Sequence, residues 1–160
     1  MFQKKRLTKD QAFEKAKHFC GYQERSHAET KEKLYSLGLY KSEVEEVISR
    51  LIEEDYLNEE RFATQFAGGK FRIKHWGRNK IKYGLKERQI SEYCIRKALK
   101  QINDTEYEKT LEKLAETKWL SLKGEKNIFT KLRKTQDYLL QKGFEYNLIS
   151  PILRKLQTES

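Results

Sequence analysis

The chain has 160 residues, 37% of them hydrophobic and 36% charged, and a net charge of +10. So much charge against so little apolar material excludes one thick core, and no segment reaches the roughly 20 apolar residues of a membrane span. Cys20 and Cys94 are its two cysteines. Both stand among apolar residues at helical spacing, which excludes a disulfide framework and reads as buried free thiols in a cytoplasmic protein.

Positive charge between residues 1 and 9 is not followed by an apolar stretch, so no secretory leader is expected. Ala12, Ala16 and Cys20 then line one face of a first helix, the alanines leaving room for a neighbouring helix. Ser26 with Glu29 three residues on is a capping box, opening a second helix that carries Thr30 and Leu34. Gly38 suits the left-handed conformation that ends a helix. Ser42 and Glu45 read as another capping box, opening a third helix with Val44, Val47, Ile48 and Leu51 on one face.

The same pattern returns twice. Leu34, Gly38, Leu39, Val44, Val47, Ile48 and Leu51 are matched 51 residues later by Leu85, Gln89, Ile90, Ile95, Ala98, Leu99 and Ile102. A further 54 residues on stand Leu139, Gly143, Phe144, Ile149, Ile152, Leu153 and Leu156. The preceding helix repeats as Ala63, Ala67 and Phe71, then as Leu111, Ala115 and Trp119, with an insertion expected around 120–127. Repetition of this kind indicates an array of similar units. The predicted fold is therefore all-α: an elongated array of three tandem three-helix repeats, at 1–57, 58–103 and 104–160. Gln89 in place of glycine predicts a slightly strained or differently closed middle corner. Pro151 is expected near the start of the last helix, where a missing N–H costs little.

Charge is uneven along this array. Residues 70–100 hold 11 Lys and Arg against Glu87 and Glu92, a net +9, while residues 1–69 sum to −1 and 101–160 to +2. Arg78, Lys82 and Lys86 lie one turn apart on a helix and form a cationic stripe. Such like-charged pairs cost about 0.2–0.5 kcal/mol each, and no carboxylate stands nearby in sequence to offset them. A polyanion would relieve the repulsion and release its counterions. The candidate binding residues are Lys70, Arg72, Lys74, Trp76, Arg78, Lys80, Lys82, Lys86 and Arg88. Phe71, Trp76 and Tyr83 interleave with these charges as candidates for stacking.

Other signals carry less. Gly68-Gly69-Lys70 lacks the earlier glycine, the following Ser or Thr and the strand of a phosphate-binding loop, and reads as a break or a close helix contact. His18, His27 and His75 have no ligand partners at metal-binding spacing, so neither a metal nor a cofactor is expected. No nucleophile–base arrangement stands out, and an enzyme is not indicated.

Two segments resemble a known family. Asp55-Tyr56-Leu57-Asn58-Glu59-Glu60-Arg61-Phe62-Ala63 is similar to the Gly-Tyr-Leu-Asn-Asp-x-Arg-Phe-Ala signature of the RecX regulatory proteins. Gly77-Arg78-Asn79-Lys80-Ile81, continuing through Leu85 to Ile90, resembles their Gly-x-x-x-Ile…Glu-Leu-x-x-Lys-Gly-Ile segment. Asp55, Glu59, Gly84 and Gln89 depart from the pattern, and Gly84 inside a helix predicts a kinked or mobile middle unit, at about 1 kcal/mol relative to alanine. The resemblance implies a non-enzymatic regulator that binds the filament of RecA on single-stranded DNA, and a monomer is expected. It further implies inhibition of recombinase, ATPase and co-protease activities. The residues by themselves leave two other readings open: a stand-alone DNA-binding helical-repeat protein and a protein-only helical adaptor.

Overall fold

A computed structural model describes residues 6–159, so part of the charged segment 1–9 lies outside the described residues. Nine helices and no strand occur among the described residues. They are α1 (Lys9–Tyr22), α2 (His27–Ser36), α3 (Lys41–Glu53), α4 (Glu59–Lys74), α5 (Arg78–Glu87), α6 (Glu92–Lys100), α7 (Asp104–Ser121), α8 (Ile128–Gln141) and α9 (Tyr146–Glu159). Each consecutive triplet packs upon itself, as the repeat pattern predicts. Leu34, Leu85 and Leu139 are equivalent positions, and each is fully buried. So are the alanine pairs of α1 and α4, together with Leu111 and Ala115 of α7. The small side chains Ala63, Ala67 and Ala98 let α4 lie closely along α6, the most extensive helix pairing in the chain.

The three corners between second and third helices close in one way. Gly38 N–H bonds to Tyr35 carbonyl and Leu39 N–H to Leu34 carbonyl. Gln89 and Ile90 repeat these bonds to Lys86 and Leu85, as do Gly143 and Phe144 to Leu140 and Leu139. Gln89 thus adopts the glycine conformation, at φ 60°, and the middle corner is not differently closed. A polar residue without a β-branch tolerates that region at modest cost.

Four other sequence readings are corrected. The α3 cap lies two residues earlier than Ser42 and Glu45: the Glu43 carboxylate accepts the Tyr40 N–H at 3.0 Å. The corner after Gly38 needs only Leu39 and Tyr40 before the next helix can begin. Pro151 lies inside α9, not near its start, because that helix already opens at Tyr146. Its missing N–H deprives the Asn147 carbonyl of a helical donor, on an exposed face where water can replace it. Gly84 does not break α5. A Cβ there would sit 3.0 Å from the Phe66 ring and 3.6 Å from Trp76, so this glycine makes room for that aromatic pair. Gly68-Gly69-Lys70 is likewise uninterrupted helix within α4. The insertion at 120–127 is a turn after α7, which with α8 forms a longer hairpin than in the other units.

Two cores result from nine helices. Ala12 through Leu57 form one, and Phe62 through Leu156 form a second, shared by units two and three. The first unit meets the second through polar groups. Arg61 pairs with Glu24 and with Asp55 at 3.2 Å, while His27 Nε2 is buried beside this joint with no hydrogen-bond partner.

Truncating Leu34, Leu85 or Leu139 to alanine should each cost about 2–5 kcal/mol. With separate cores, NMR-monitored urea unfolding should show Leu34→Ala melting the first unit early. Leu85→Ala and Leu139→Ala should each lower one transition common to units two and three. Burial, more than the neighbouring Lys31 and against the pull of Glu59, holds the His27 imidazole below its ordinary value. The folded state therefore resists taking up that proton. The first unit should be fully stable near neutral pH and lose stability as pH falls below the unfolded value of about 6.5. Thermal melts of the parent and His27→Gln between these limits should show a shallower fall in the variant.

Candidate nucleic-acid interface

The second unit displays its charge on the end of α4 and the outer face of α5. Ile81, Gly84 and Leu85 turn α5 inward, which leaves Asn79, Lys82, Tyr83 and Lys86 facing out. Tyr83 is 66% exposed, and Lys82 has no carboxylate partner among the described residues. Lys86 reaches Glu92 at 3.5 Å, with both side chains largely in solvent, a pair worth little. Arg72 and Lys74 extend from the last turn of α4, the Arg72 guanidinium lying over Gly68. A Cβ on Gly68 would meet that guanidinium at 2.7 Å.

A second group gathers around an aromatic pair. Phe66 and Trp76 meet edge to face with ring centroids 6.4 Å apart. Lys70 Nζ is 4.9 Å and Lys80 Nζ 4.7 Å from the Trp76 ring. Arg88 lies 4.7 Å from the Phe66 ring and donates to the Gly84 carbonyl at 2.9 Å. These cations hold positions on a half-buried indole, so Trp76 is an anchor for the cluster. Phe71 is buried core against Tyr107 and offers no stacking face. Only Tyr83 of the three aromatics is open to a base.

Arg78 does not belong to the stripe. Its guanidinium donates to Asp104 at 2.6 Å and to Glu145 at 3.1 Å, and lies 3.8 Å over the Tyr107 ring. Its backbone N–H donates to Tyr107 Oη at 2.9 Å, and that hydroxyl donates onward to Glu145. Burial first, and then this bond, pushes the Tyr107 hydroxyl far up, so it stays protonated as a donor. The carboxylates that offset Arg78 come from residues 26 and 67 positions away, which is why no local reading could find them.

This network seals the joint between units two and three. Gly77 N–H donates to Lys142 carbonyl at 2.8 Å and Asn79 N–H to Gly143 carbonyl at 2.9 Å. A Cβ on Gly77 would fall within the backbone of Gly143. Glycine is required at residue 77 by that approach. The equivalent place between units one and two, where His27 and Ala28 face Arg88, Gln89 and Ile90, is instead a cleft of about 150 Å³. The sealed joint also delivers a residue that sequence reasoning missed. Lys142 Nζ donates to the Lys74 carbonyl at 2.8 Å, 68 residues away in the chain.

The three units are matched in order by family models for the first, second and third three-helix domains of RecX, at residues 12–51, 58–99 and 105–153. The chain belongs to the RecX family. A "Regulatory protein RecX" of Clostridium perfringens is 33% identical over 133 residues, covering 82% of this chain and 62% of that relative. One of Oceanobacillus iheyensis is 27% identical, covering 88% and 52%. The chain thus spans little more than half to three fifths of the length of these relatives. The RecX crystal structure from Lactobacillus salivarius superposes with a TM-score of 0.83 at 26% identity, over 94% of this chain and 97% of that one. Among the described residues no helix is long and apolar enough to cross a membrane, and no His, Cys, Asp and Glu cluster could hold a metal.

RecX membership gives its first signature segment a structural meaning in this chain. Leu57 is buried, Asn58 Oδ1 caps α4 by accepting from Arg61 N–H at 2.8 Å, and Asp55 takes the left-handed φ of 63° where the signature has glycine. Arg61 ties unit one to unit two, and Glu59 accepts the Ser91 N–H at 2.6 Å. The segment builds a joint. Reversing Arg78 to glutamate should therefore cost stability, about 1.5–3 kcal/mol for charge-assisted bonds lost beside two carboxylates. Lys82→Glu should stay within about 0.5 kcal/mol of the parent. Paired urea titrations check both values.

Proposed function

We propose that the chain is a negative modulator of RecA that binds the RecA–single-stranded DNA filament as a monomer in the cytoplasm and damps its recombinase, ATPase and co-protease activities. Membership of a family of regulatory proteins supports the regulatory part of this reading. The observation that carries the nucleic-acid part is the outer face of α5. Lys82, Tyr83 and Lys86 stand there exposed on the one unit with a large cationic excess. Lys70, Arg72, Lys74, Trp76, Lys80 and Arg88 flank that face and complete the binding surface. Cations that neutralise phosphates gain by counterion release, and an exposed tyrosine can stack on a base of any identity. Sequence-tolerant contact of that kind suits a filament, whose DNA has no fixed sequence. Arg78 is a joint residue in this reading and contributes by holding α5 in place.

The test is inhibition of RecA ATP turnover on single-stranded DNA, read with filament co-sedimentation. Lys82→Glu with Tyr83→Ala should raise the concentration for half-inhibition by about tenfold, equivalent to about 1.4 kcal/mol of binding. Lys109→Glu with Lys113→Glu on the third unit should have little effect. Binding should also weaken steeply with salt, log affinity falling by about 0.7 per phosphate contacted for each log unit of salt. Unchanged inhibition by the α5 variant, or binding flat in salt, would refute the cationic-face reading.

A further inference from the structure

Three lysines from three separate segments lie near one another where units two and three join. Lys74 ends α4, Lys80 lies in the first turn of α5, and Lys142 caps α8. The Lys80 side chain rests on Gly143, where a Cβ would collide with it, so it stands beside the residue that follows Lys142. Lys142 Nζ is fixed by its bond to the Lys74 carbonyl, which places it at the C-terminal end of α4, where helix carbonyls lack intrahelical donors. Burial, and then the charges of Lys80 and Lys74, hold the Lys142 ammonium below the usual lysine range. Every charge acting on it is positive.

No neighbouring carboxylate among the described residues is free to dissipate this charge. The carboxylate nearest in sequence, Glu145, is occupied by Arg78 and Tyr107. A cluster of ammonium groups that is partly buried at Lys80 and Lys142, has no carboxylate partner among the described residues and is anchored by the Lys142 bond to a backbone carbonyl stores repulsion that a bound anion would release. Beside it lies the half-buried indole of Trp76, 4.7 Å from Lys80 Nζ, an apolar flank to the charge. Charge for one oxyanion with an apolar wall alongside suits a sugar–phosphate link better than a free ion.

We propose that Lys74, Lys80 and Lys142 form a phosphodiester-binding site across the joint of units two and three, taking one phosphate of a single-stranded nucleic acid. The proposal rests on the reading that the second unit meets nucleic acid, and it adds Lys142 of the third unit to that surface. It makes the joint itself part of the interface, so that binding there also braces the two units against each other.

The test is anisotropy of a labelled oligothymidylate with the full chain, without RecA, beside co-sedimentation with the RecA filament. Lys142→Gln should weaken oligonucleotide binding about five- to tenfold at low salt and make the salt dependence shallower by about 0.7 in log units. Lys142→Arg should restore both, and Lys109→Gln should leave both unchanged. If Lys142→Gln does not fold by circular dichroism, Lys74→Gln, whose side chain is exposed, carries the same expectation. Inorganic phosphate matched in phosphate concentration should not displace the oligonucleotide, and displacement by it would overturn assignment to a polymer. A parent that binds oligonucleotide and filament, with Lys142→Gln and Lys74→Gln binding equally well, overturns the site and leaves the filament reading standing. A parent that binds the filament but no oligonucleotide overturns the site alone, and one that binds neither overturns both.

Discussion

The backbone of Gly77–Asn79 laid against the corner at Lys142–Gly143 is the contact on which the functional half of this molecule depends. Two N–H groups that a helix start leaves without partners find the two carbonyls that a left-handed helix end leaves exposed. Each terminus satisfies the other, and this works only because glycine stands on both sides. With the backbones that close, Tyr107 packs between Phe71 and Phe144, at centroid distances of 5.7 and 5.2 Å, and the two cores become one. Arg78, Asp104, Glu145 and the Tyr107 hydroxyl then close over the seam.

That seal explains why the cationic face has the shape it has. A stripe of three charges on α5 becomes one joint residue, Arg78, and two outward residues, Lys82 and Lys86, because the helix rolls its first turn toward unit three. The same roll carries Lys80 to the corner and brings Lys142 to the end of α4. Positive charge is subtracted from the outer face and concentrated at the seam. Gly84 serves the other flank, where its missing side chain admits the Phe66–Trp76 pair that holds Lys70, Lys80 and Arg88.

The two joints differ in kind although they occupy equivalent places in the repeat. Between units two and three the connection is apolar core with backbone bonds across it, and the Arg78 ion pairs only close over that core. Between units one and two it is the Arg61 ion-pair group, with a buried His27 nitrogen and a small cleft where the other joint is filled. Apolar burial is insensitive to salt and pH, whereas ion pairs and a buried imidazole respond to both. The attachment of the first unit is thus the more responsive to solution conditions, because no shared apolar core backs its ion pairs.

Much of this was legible in the sequence for a simple reason. Burial in a helix repeats with the helix, so Leu34, Leu85 and Leu139 and their companions declared three units, nine helices and the faces that meet. Gly38 and Gly143 marked their corners because only a few residues accept a positive φ, and the repeat placed the third at Gln89 but not its glycine-like closure. Net charge by segment showed which unit is cationic. What the sequence left open was every pairing across units: that Arg78 meets Asp104 and Glu145, that Phe71 packs on Tyr107, and that Lys142 reaches the Lys74 carbonyl. Those depend on how one unit is rotated on the next. Rotation is decided by backbone contact between residues more than sixty positions apart, which periodicity within a unit cannot encode.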